Sequence, residues 1–220
     1  LPYFSMERKI DTRNRYTRAP NGVCFPPRNP EGAIGYDPIR YRKQNTTSTN
    51  LSEAAIIVYQ KLDYFGSGNA EQYAALYLHM PDDPVVATRE CIKACKFWAY
   101  PCMYERVIEH VLEEFNDANV TPFLLKNEKD GIPGLWIDSQ GKIVKNGTDW
   151  MVSRFSLPQS PEDVDQIAIH PFEETLMDLD GIDLGNTTDF NCYMAMIELE
   201  HGLRQIIYTN VTDKSVNEMM

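Results

Sequence analysis

The sequence contains no long apolar segment and no leader. Nowhere in its 220 residues do 18 apolar residues follow one another, so we expect no segment that spans a membrane. The chain starts at Leu1 without a basic segment followed by an apolar stretch, which is typical of a processed fragment whose signal peptide has been removed. With 43% hydrophobic and 24% charged residues, the composition is that of an ordinary globular protein.

Short motifs that identify common enzyme classes are missing as well. The sequence has no nucleophile elbow, phosphate-binding loop or dinucleotide-binding glycine pattern. Its four histidines are scattered, and none belongs to a helical zinc-binding pair. These absences favour a binding protein over an enzyme.

Positive charge is scarce outside the first 43 residues. Residues 1–43 hold nine Lys and Arg against four Asp and Glu, so that 12 basic and 28 acidic residues are left for positions 44–220. An acidic body repels phosphate, and nucleic-acid binding would depend on the basic segment alone. The charge pattern therefore predicts no nucleic-acid partner.

The first 49 residues are predicted to form an extended, Pro-rich arm. Six prolines and three glycines in this segment disfavour long helices. The expected organisation is an arm of residues 1–49 and a single globular domain of residues 50–220. The arm either lies over the acidic domain or binds a protein partner, and both alternatives stay open.

The globular domain is predicted to be of the α+β class. Polar caps and apolar periodicity predict about four short helices, near residues 50–62, 69–77, 85–97 and 101–115. Turn signals predict antiparallel hairpins in the second half, around 138–141 and around His201 and Gly202, with a further strand at 151–157. We therefore expect a helical N-terminal half packed on C-terminal hairpins, with no internal repeat.

N-glycosylation triplets are more frequent than chance predicts. Six of the 14 asparagines begin an N-x-[ST] triplet, whereas average composition predicts about two. The six candidate acceptors are Asn45, Asn50, Asn119, Asn146, Asn186 and Asn210. This excess predicts an extracellular, secreted or surface-exposed glycoprotein.

Five cysteines suit that compartment, where disulfides persist. They are Cys24, Cys91, Cys95, Cys102 and Cys192. An odd number leaves one thiol that is either buried or bonded to another chain, in a homo- or hetero-oligomer, and the sequence does not determine the pairing. A zinc site at Cys91, Cys95 and Cys102 is less favoured, because their spacing differs from that of structural zinc sites.

Two acidic clusters are candidate metal sites. The segment around Gly181 fails as an EF-hand because Leu176 and Thr187 occupy ligand positions. A looser calcium site remains open, with Asp178, Asp180 and Asp183 as its ligands.

The second cluster lies in the segment predicted to be the fourth helix. It comprises Glu105, Glu109, His110, Glu113 and Glu114. His110 and Glu114 could share a metal, but the spacing favours a solvated outer face.

Two functions follow from these patterns. The favoured one is a glycoprotein that acts by protein–protein recognition, such as a ligand, a receptor ectodomain or a viral or parasite surface protein. The alternative is a secreted carboxylate-dependent hydrolase that uses Asp178, Asp180 or Glu109 as acid and base. No cofactor other than calcium is implied.

Overall fold

The computed structural model describes the chain in nine stretches, to which all structural statements below refer. They are residues 17–18, 24–25, 32–39, 53–61, 71–106, 108–137, 141–156, 172–182 and 190–217.

A four-stranded mixed sheet forms the centre of the fold. Its strands are β3 (Gly32–Asp37), β4 (Ala54–Lys61), β5 (Glu71–His79) and β6 (Cys102–Tyr104), in the spatial order β5-β4-β3-β6. The first three are antiparallel neighbours, whereas β6 runs parallel to β3. A separate antiparallel pair comprises β1 (Thr17–Arg18) and β2 (Cys24–Phe25).

Five described helices accompany the sheet. They are α1 (Pro84–Trp98), α2 (Glu109–Asp117), α3 (Lys142–Ser156), α4 (Glu173–Gly181) and α5 (Asn191–Asn217). Within the part of the chain that the structure describes, no helix combines the length and apolarity needed to cross a membrane.

The sheet is buried on both faces. One face packs in a core with α1 and α2 that includes Ile34 and Tyr36, and the other packs in a core with α3, α4 and α5 that includes Ala33. Successive residues of a strand point to opposite faces, which explains this division. The molecule is therefore a three-layer arrangement with the sheet in the middle.

The predicted arrangement of the α+β fold is wrong, because helices and strands are interleaved along the chain. The segments predicted as helices at 50–62 and 69–77 contain the strands β4 and β5 instead. Both strands are buried on both faces, so their sequences do not alternate between apolar and polar residues. Without that alternation, a short apolar run cannot be assigned to a strand or to a helix from the sequence. The β-branched residues Ile56, Ile57 and Val58 favour the strand.

The predicted C-terminal hairpins are also wrong. Gly141 has the positive φ expected of a turn, 67°, but it precedes α3 instead of a strand, and 151–156 continues that helix. Residues around His201 and Gly202 lie inside α5. The first ten residues of α5 are all buried, so no polar stripe reveals the helical period.

The segment assigned to an extended arm supplies a central strand. β3 lies within residues 1–49, pairs with β4 and β6, and is completely buried. The basic and proline-rich segment thus includes part of the sheet that organises the candidate site.

Candidate active site

Two acidic residues lie side by side at one edge of the sheet. Asp37 ends β3, and Glu105 directly follows β6. Tyr36 is opposite Tyr104 in the parallel pairing of these strands, so the two acids occupy adjacent positions, with backbones about 4.8 Å apart. Carboxyl ends of parallel strands are common ligand-binding positions in α/β proteins.

Both acids point towards the same face of the sheet. Tyr36 and Tyr104 belong to the core formed with α1 and α2. Because side chains alternate along a strand, Asp37 and Glu105 point to the opposite face, which α5 covers. Both side chains are largely buried, and their residues are 8% and 9% exposed.

α5 brings a third acid to this edge. Ala195, Glu198, Leu199 and Gly202 are spaced three and four residues apart and therefore share one helix face. Ala195 and Leu199 contact β3 at Gly35, and Gly202 lies against Met103 of β6. Glu198 is thereby carried to the ends of both strands, with no exposed surface.

The electrostatics of Glu198 indicate that Asp37 and Glu105 are near enough for their charges to act on its carboxyl. Burial raises the pKa of its carboxyl well above the ordinary value, and the charges of Asp37 and Glu105 raise it further. The backbones of Tyr36 and Glu105 lower this pKa in part, yet neither carboxylate oxygen has a hydrogen-bond partner of normal geometry among the described residues. An ionised Glu198 would be strongly disfavoured without a nearby cation.

The donor set suits a hard divalent cation. Carboxylate oxygens are the ligands that Mg²⁺, Mn²⁺ and Ca²⁺ prefer. Opposite ligands of one Mg²⁺ lie about 4.2 Å apart. The carboxylate trio is not among the described groups whose ligand atoms all lie within 4.8 Å. As placed, the three carboxylates are therefore too far apart to share one ion.

The group that does meet this distance consists of three cysteines. Cys91 and Cys95 of α1 and Cys102 of β6 are fully buried, and the Sγ atoms of Cys91 and Cys102 are 3.6 Å apart. Burial raises the pKa of Cys91 and of Cys102. Burial also acts to raise the pKa of Cys95, but hydrogen bonds from Cys102 and Cys91 outweigh it and lower that pKa. Structural zinc takes four ligands, and the described residues supply three.

None of the four described cysteines is in a disulfide. Cys91, Cys95, Cys102 and Cys192 are free, buried thiols. The cysteine trio packs within the core formed with α1 and α2. Cys24 lies in β2, whose side chains are outside the described part, and the predicted disulfide pairing stays a prediction.

The acids predicted to bind calcium have a different arrangement. Asp178 of α4 accepts hydrogen bonds from the backbone N–H groups of Cys192 and Tyr193, at 2.9 and 3.2 Å. It thereby satisfies the free amides at the start of α5. Burial raises its pKa, and these two hydrogen bonds lower it in part. Asp180 is exposed, and Asp183 lies outside the described residues.

The predicted acidic helix face is separate from the carboxylate trio. Glu109 and Glu113 are exposed, and Glu114 forms an ion pair with Arg89 at 2.9 Å. His110 is buried, which lowers its pKa. Glu105 belongs to the end of β6 and not to this helix, so the grouping of these five residues was wrong.

Two of the glycosylation acceptors can be placed with their side chains. Asn119 is exposed at the turn after α2, with φ 54°, and Asn146 is half-buried in α3. Asn210 lies in α5, and its side chain is outside the described part. Asn45, Asn50 and Asn186 also lie outside it.

Sequence reasoning missed Asp37 and Glu198 and assigned Glu105 to the wrong surface. A usable signal was present, because each of the three acids lies within or directly after a short apolar run. An acid in such a run is either paired in the core or functional.

No protein-family model matches the sequence, and no curated protein is significantly similar to it. The geometry of the carboxylate trio therefore carries the functional argument.

Proposed function

We propose that the protein is a divalent-metal-dependent hydrolase of phosphodiester bonds, with Asp37, Glu105 and Glu198 as metal ligands. The observation that carries this proposal is the Glu198 carboxylate, which is completely buried, feels the charges of Asp37 and Glu105, and has no hydrogen-bond partner of normal geometry among the described residues. Burying a carboxylate without a hydrogen-bond partner costs stability, and a bound cation would offset that cost.

The chemistry follows from the ligand type. Divalent cations held by Asp37, Glu105 and Glu198 would lower the pKa of a bound water and stabilise the negative charge that develops in an in-line displacement at phosphorus. Water oxygen bonds to phosphorus, the bond from phosphorus to the ester oxygen breaks, and the leaving alkoxide takes up a proton. The products are a phosphomonoester and an alcohol, without any oxidation or reduction.

Basic residues next to Asp37 support a polyanionic substrate. Arg40, Arg42 and Lys43 follow Asp37 by three to six residues in the sequence. Basic residues this near to Asp37 in the sequence suit a substrate that carries a chain of phosphates. We therefore take nucleic acid as the substrate class. The charge pattern of the sequence predicted no nucleic-acid partner, because the body is acidic and binding would depend on the basic segment alone, and this proposal departs from that prediction.

This proposal keeps the hydrolase alternative drawn from the sequence but replaces its residues. Asp178 is engaged at the start of α5, and Asp180 and Glu109 are exposed. The exported interaction glycoprotein, its protein partner and its extracellular location stay predictions that depend on the acceptor triplets. The buried thiols of the four described cysteines do not favour an interchain disulfide.

Nuclease assays test the proposal directly. Purified protein is incubated with labelled single- and double-stranded DNA and RNA in Mg²⁺, Mn²⁺ or EDTA. We expect cleavage that requires the metal and falls at least about 100-fold in Asp37→Asn and Glu198→Gln. Glu109→Gln, an exposed acid of the same type as Glu198, is the control that keeps full activity. Metal-independent cleavage, or full activity in Asp37→Asn, would overturn the proposal.

Metal binding provides a second readout that needs no substrate. Calorimetric titration with Mn²⁺ is expected to show binding to the wild type and to Glu109→Gln, with strong weakening in Asp37→Asn. Equal Mn²⁺ affinity in all three proteins would place the metal elsewhere and contradict the assignment of ligands.

A further inference from the structure

The cysteine trio lies on the other side of the sheet from the carboxylate trio. Cys91 and Cys95 are four residues apart and therefore share one face of α1. Cys102 begins β6, which follows this helix along the chain. All three residues have no exposed surface and belong to the core formed with α1 and α2. Two packed elements thus hold three thiols together in the interior.

The sulfur positions match those of three ligands around one ion. Three sulfurs that are each about 2.3 Å from a metal lie about 4.0 Å apart when the ion is in their plane, and about 3.8 Å apart at the corners of a tetrahedron. The Sγ atoms of Cys91 and Cys102 are 3.6 Å apart, and all three Sγ atoms lie within 4.8 Å of one another. Shifts of a few tenths of an ångström would complete the coordination.

The type and the number of ligands indicate which metal suits the cysteine trio. Thiolates select soft ions, of which Cu⁺ and Zn²⁺ are the common ones. Structural Zn²⁺ is almost always four-coordinate, whereas the described residues supply three sulfurs. The three side chains also have no exposed surface at which a water could act as the fourth ligand. Cu⁺, which is stable with three sulfur ligands, therefore fits better than Zn²⁺.

The cysteine trio also carries negative charge that a cation would balance. Burial acts to raise the pKa of Cys95, but hydrogen bonds from Cys102 and Cys91 lower it to about 5. A thiolate in the core costs stability unless a cation pairs with it. Cu⁺ brings one positive charge to this thiolate.

We propose that Cys91, Cys95 and Cys102 bind one Cu⁺ ion as a structural centre that joins α1 to β6. The site does not rest on the proposed function, because it uses none of the carboxylate ligands. Each sulfur donates a lone pair to the ion and the protons of the coordinated thiols pass to solvent, without oxidation or reduction. Because the ligands come together only in the folded chain, the ion binds as the protein folds and needs no open channel.

Competition with a coloured Cu⁺ chelator tests the site. A Cys24→Ser chain is refolded from urea without oxygen, in the presence of the Cu⁺ chelate, and copper transfer is read from the loss of colour. We expect one Cu⁺ per chain. Cys95→Ser should bind Cu⁺ at least about 100-fold more weakly, because loss of an outer-shell partner alone weakens metal binding by about 10- to 100-fold. Cys192→Ser, which removes a buried thiol from the other core, is the matched control and should keep the parent affinity.

X-ray absorption at the copper edge counts the ligands in the Cys24→Ser chain and depends on no variant of the trio. Three sulfurs at about 2.3 Å are expected. Bound Cu⁺ should also raise the melting temperature of this chain and of Cys192→Ser, but not that of Cys95→Ser. Absence of Cu⁺ binding, two sulfur ligands, or equal Cu⁺ affinity with and without Cys95 would overturn the proposal. Displacement of Cu⁺ by an equal concentration of Zn²⁺ would overturn the choice of metal.

Discussion

Gly35 of β3 lies so close to Ala195 of α5 that a Cβ at position 35 would overlap the Ala195 carbonyl oxygen and approach the Leu199 Cβ to 2.8 Å. Glycine at this position lets the helix rest on the strand, because no side chain separates their backbones. Glu198 lies between these two contact residues in the sequence of α5. This close approach brings Glu198 within reach of the charge of Asp37, which lies two residues beyond Gly35 and raises the pKa of the Glu198 carboxyl.

Gly35→Ala is expected to displace α5 and to lose the proposed metal site. Overpacking should lower the free energy of unfolding by about 1–3 kcal/mol, and Mn²⁺ affinity should fall at least tenfold because Glu198 moves away from Asp37. Urea unfolding and calorimetry measure the two effects. Gly181→Ala, where a new Cβ meets only Phe190 at an ordinary 3.4 Å, is the control. Unchanged Mn²⁺ affinity in Gly35→Ala would contradict this account.

Glu198→Gln is expected to stabilise the metal-free protein while removing its activity. The raised pKa of Glu198 means that the folded state keeps a proton that the unfolded state loses above its ordinary pKa of 4.5. Stability therefore decreases as the pH rises from 4.5 towards the folded-state pKa. Glutamine has no proton to lose, so the variant should be more stable by about 0.5–2 kcal/mol at pH 8 in EDTA.

The measurement is urea unfolding of both proteins between pH 4 and pH 8, with and without Mn²⁺. Mn²⁺ should stabilise the wild type, more so at high pH because binding displaces the proton of Glu198. It should have little effect on Glu198→Gln. A variant that is less stable than the wild type at pH 8 in EDTA would show that Glu198 is a structural partner instead of a strained ligand.

Cysteine reactivity should report four inaccessible thiols. In a Cys24→Ser background, we expect no reaction with a thiol reagent in the folded state, because Cys91, Cys95, Cys102 and Cys192 are buried. All four should react after unfolding in urea without reductant. Fewer than four reacting thiols in urea would reveal a disulfide, as the cysteine count predicts. Rapid reaction before unfolding would contradict the burial of these thiols.

Arg154 and Glu200 are expected to be essential for docking α3 on α5. Arg154 Nε lies 2.6 Å from Glu200 Oε1, its Nη1 donates to the Tyr59 hydroxyl at 2.9 Å, and Glu200 is 1% exposed. Arg154→Leu leaves this carboxylate buried without its partner. The free energy of unfolding should fall by about 3–5 kcal/mol, as measured in urea.

The matched control is the exposed pair of Lys145 and Asp149 on α3, whose side chains are 74% and 60% exposed. Lys145→Leu should cost less than about 1 kcal/mol. Adding Glu200→Gln to Arg154→Leu should recover part of the lost stability, because the uncompensated charge is then removed. If the double variant is no more stable than Arg154→Leu, the loss is due to packing.

The sequence by itself determined the α+β class, the helix near 85–97 and the positive φ at Gly141. These features depend on local chemistry. Asp83 accepts a hydrogen bond from the Val85 N–H at 3.0 Å, Pro84 suits the first helical turn, and glycine readily adopts a positive φ. Local signals of this kind act within a few residues and can be read directly from the chain.

Only the tertiary structure decided that residues 54–61 and 71–79 are strands and that α5 is a helix. These segments are buried on several sides, so their hydrophobic pattern carries no period that distinguishes helix from strand. The site depends on long-range packing in the same way. Asp37, Glu105 and Glu198 lie far apart in the chain and share no motif. They meet because β6 pairs in parallel with β3 and because Gly35 lets α5 approach both strands.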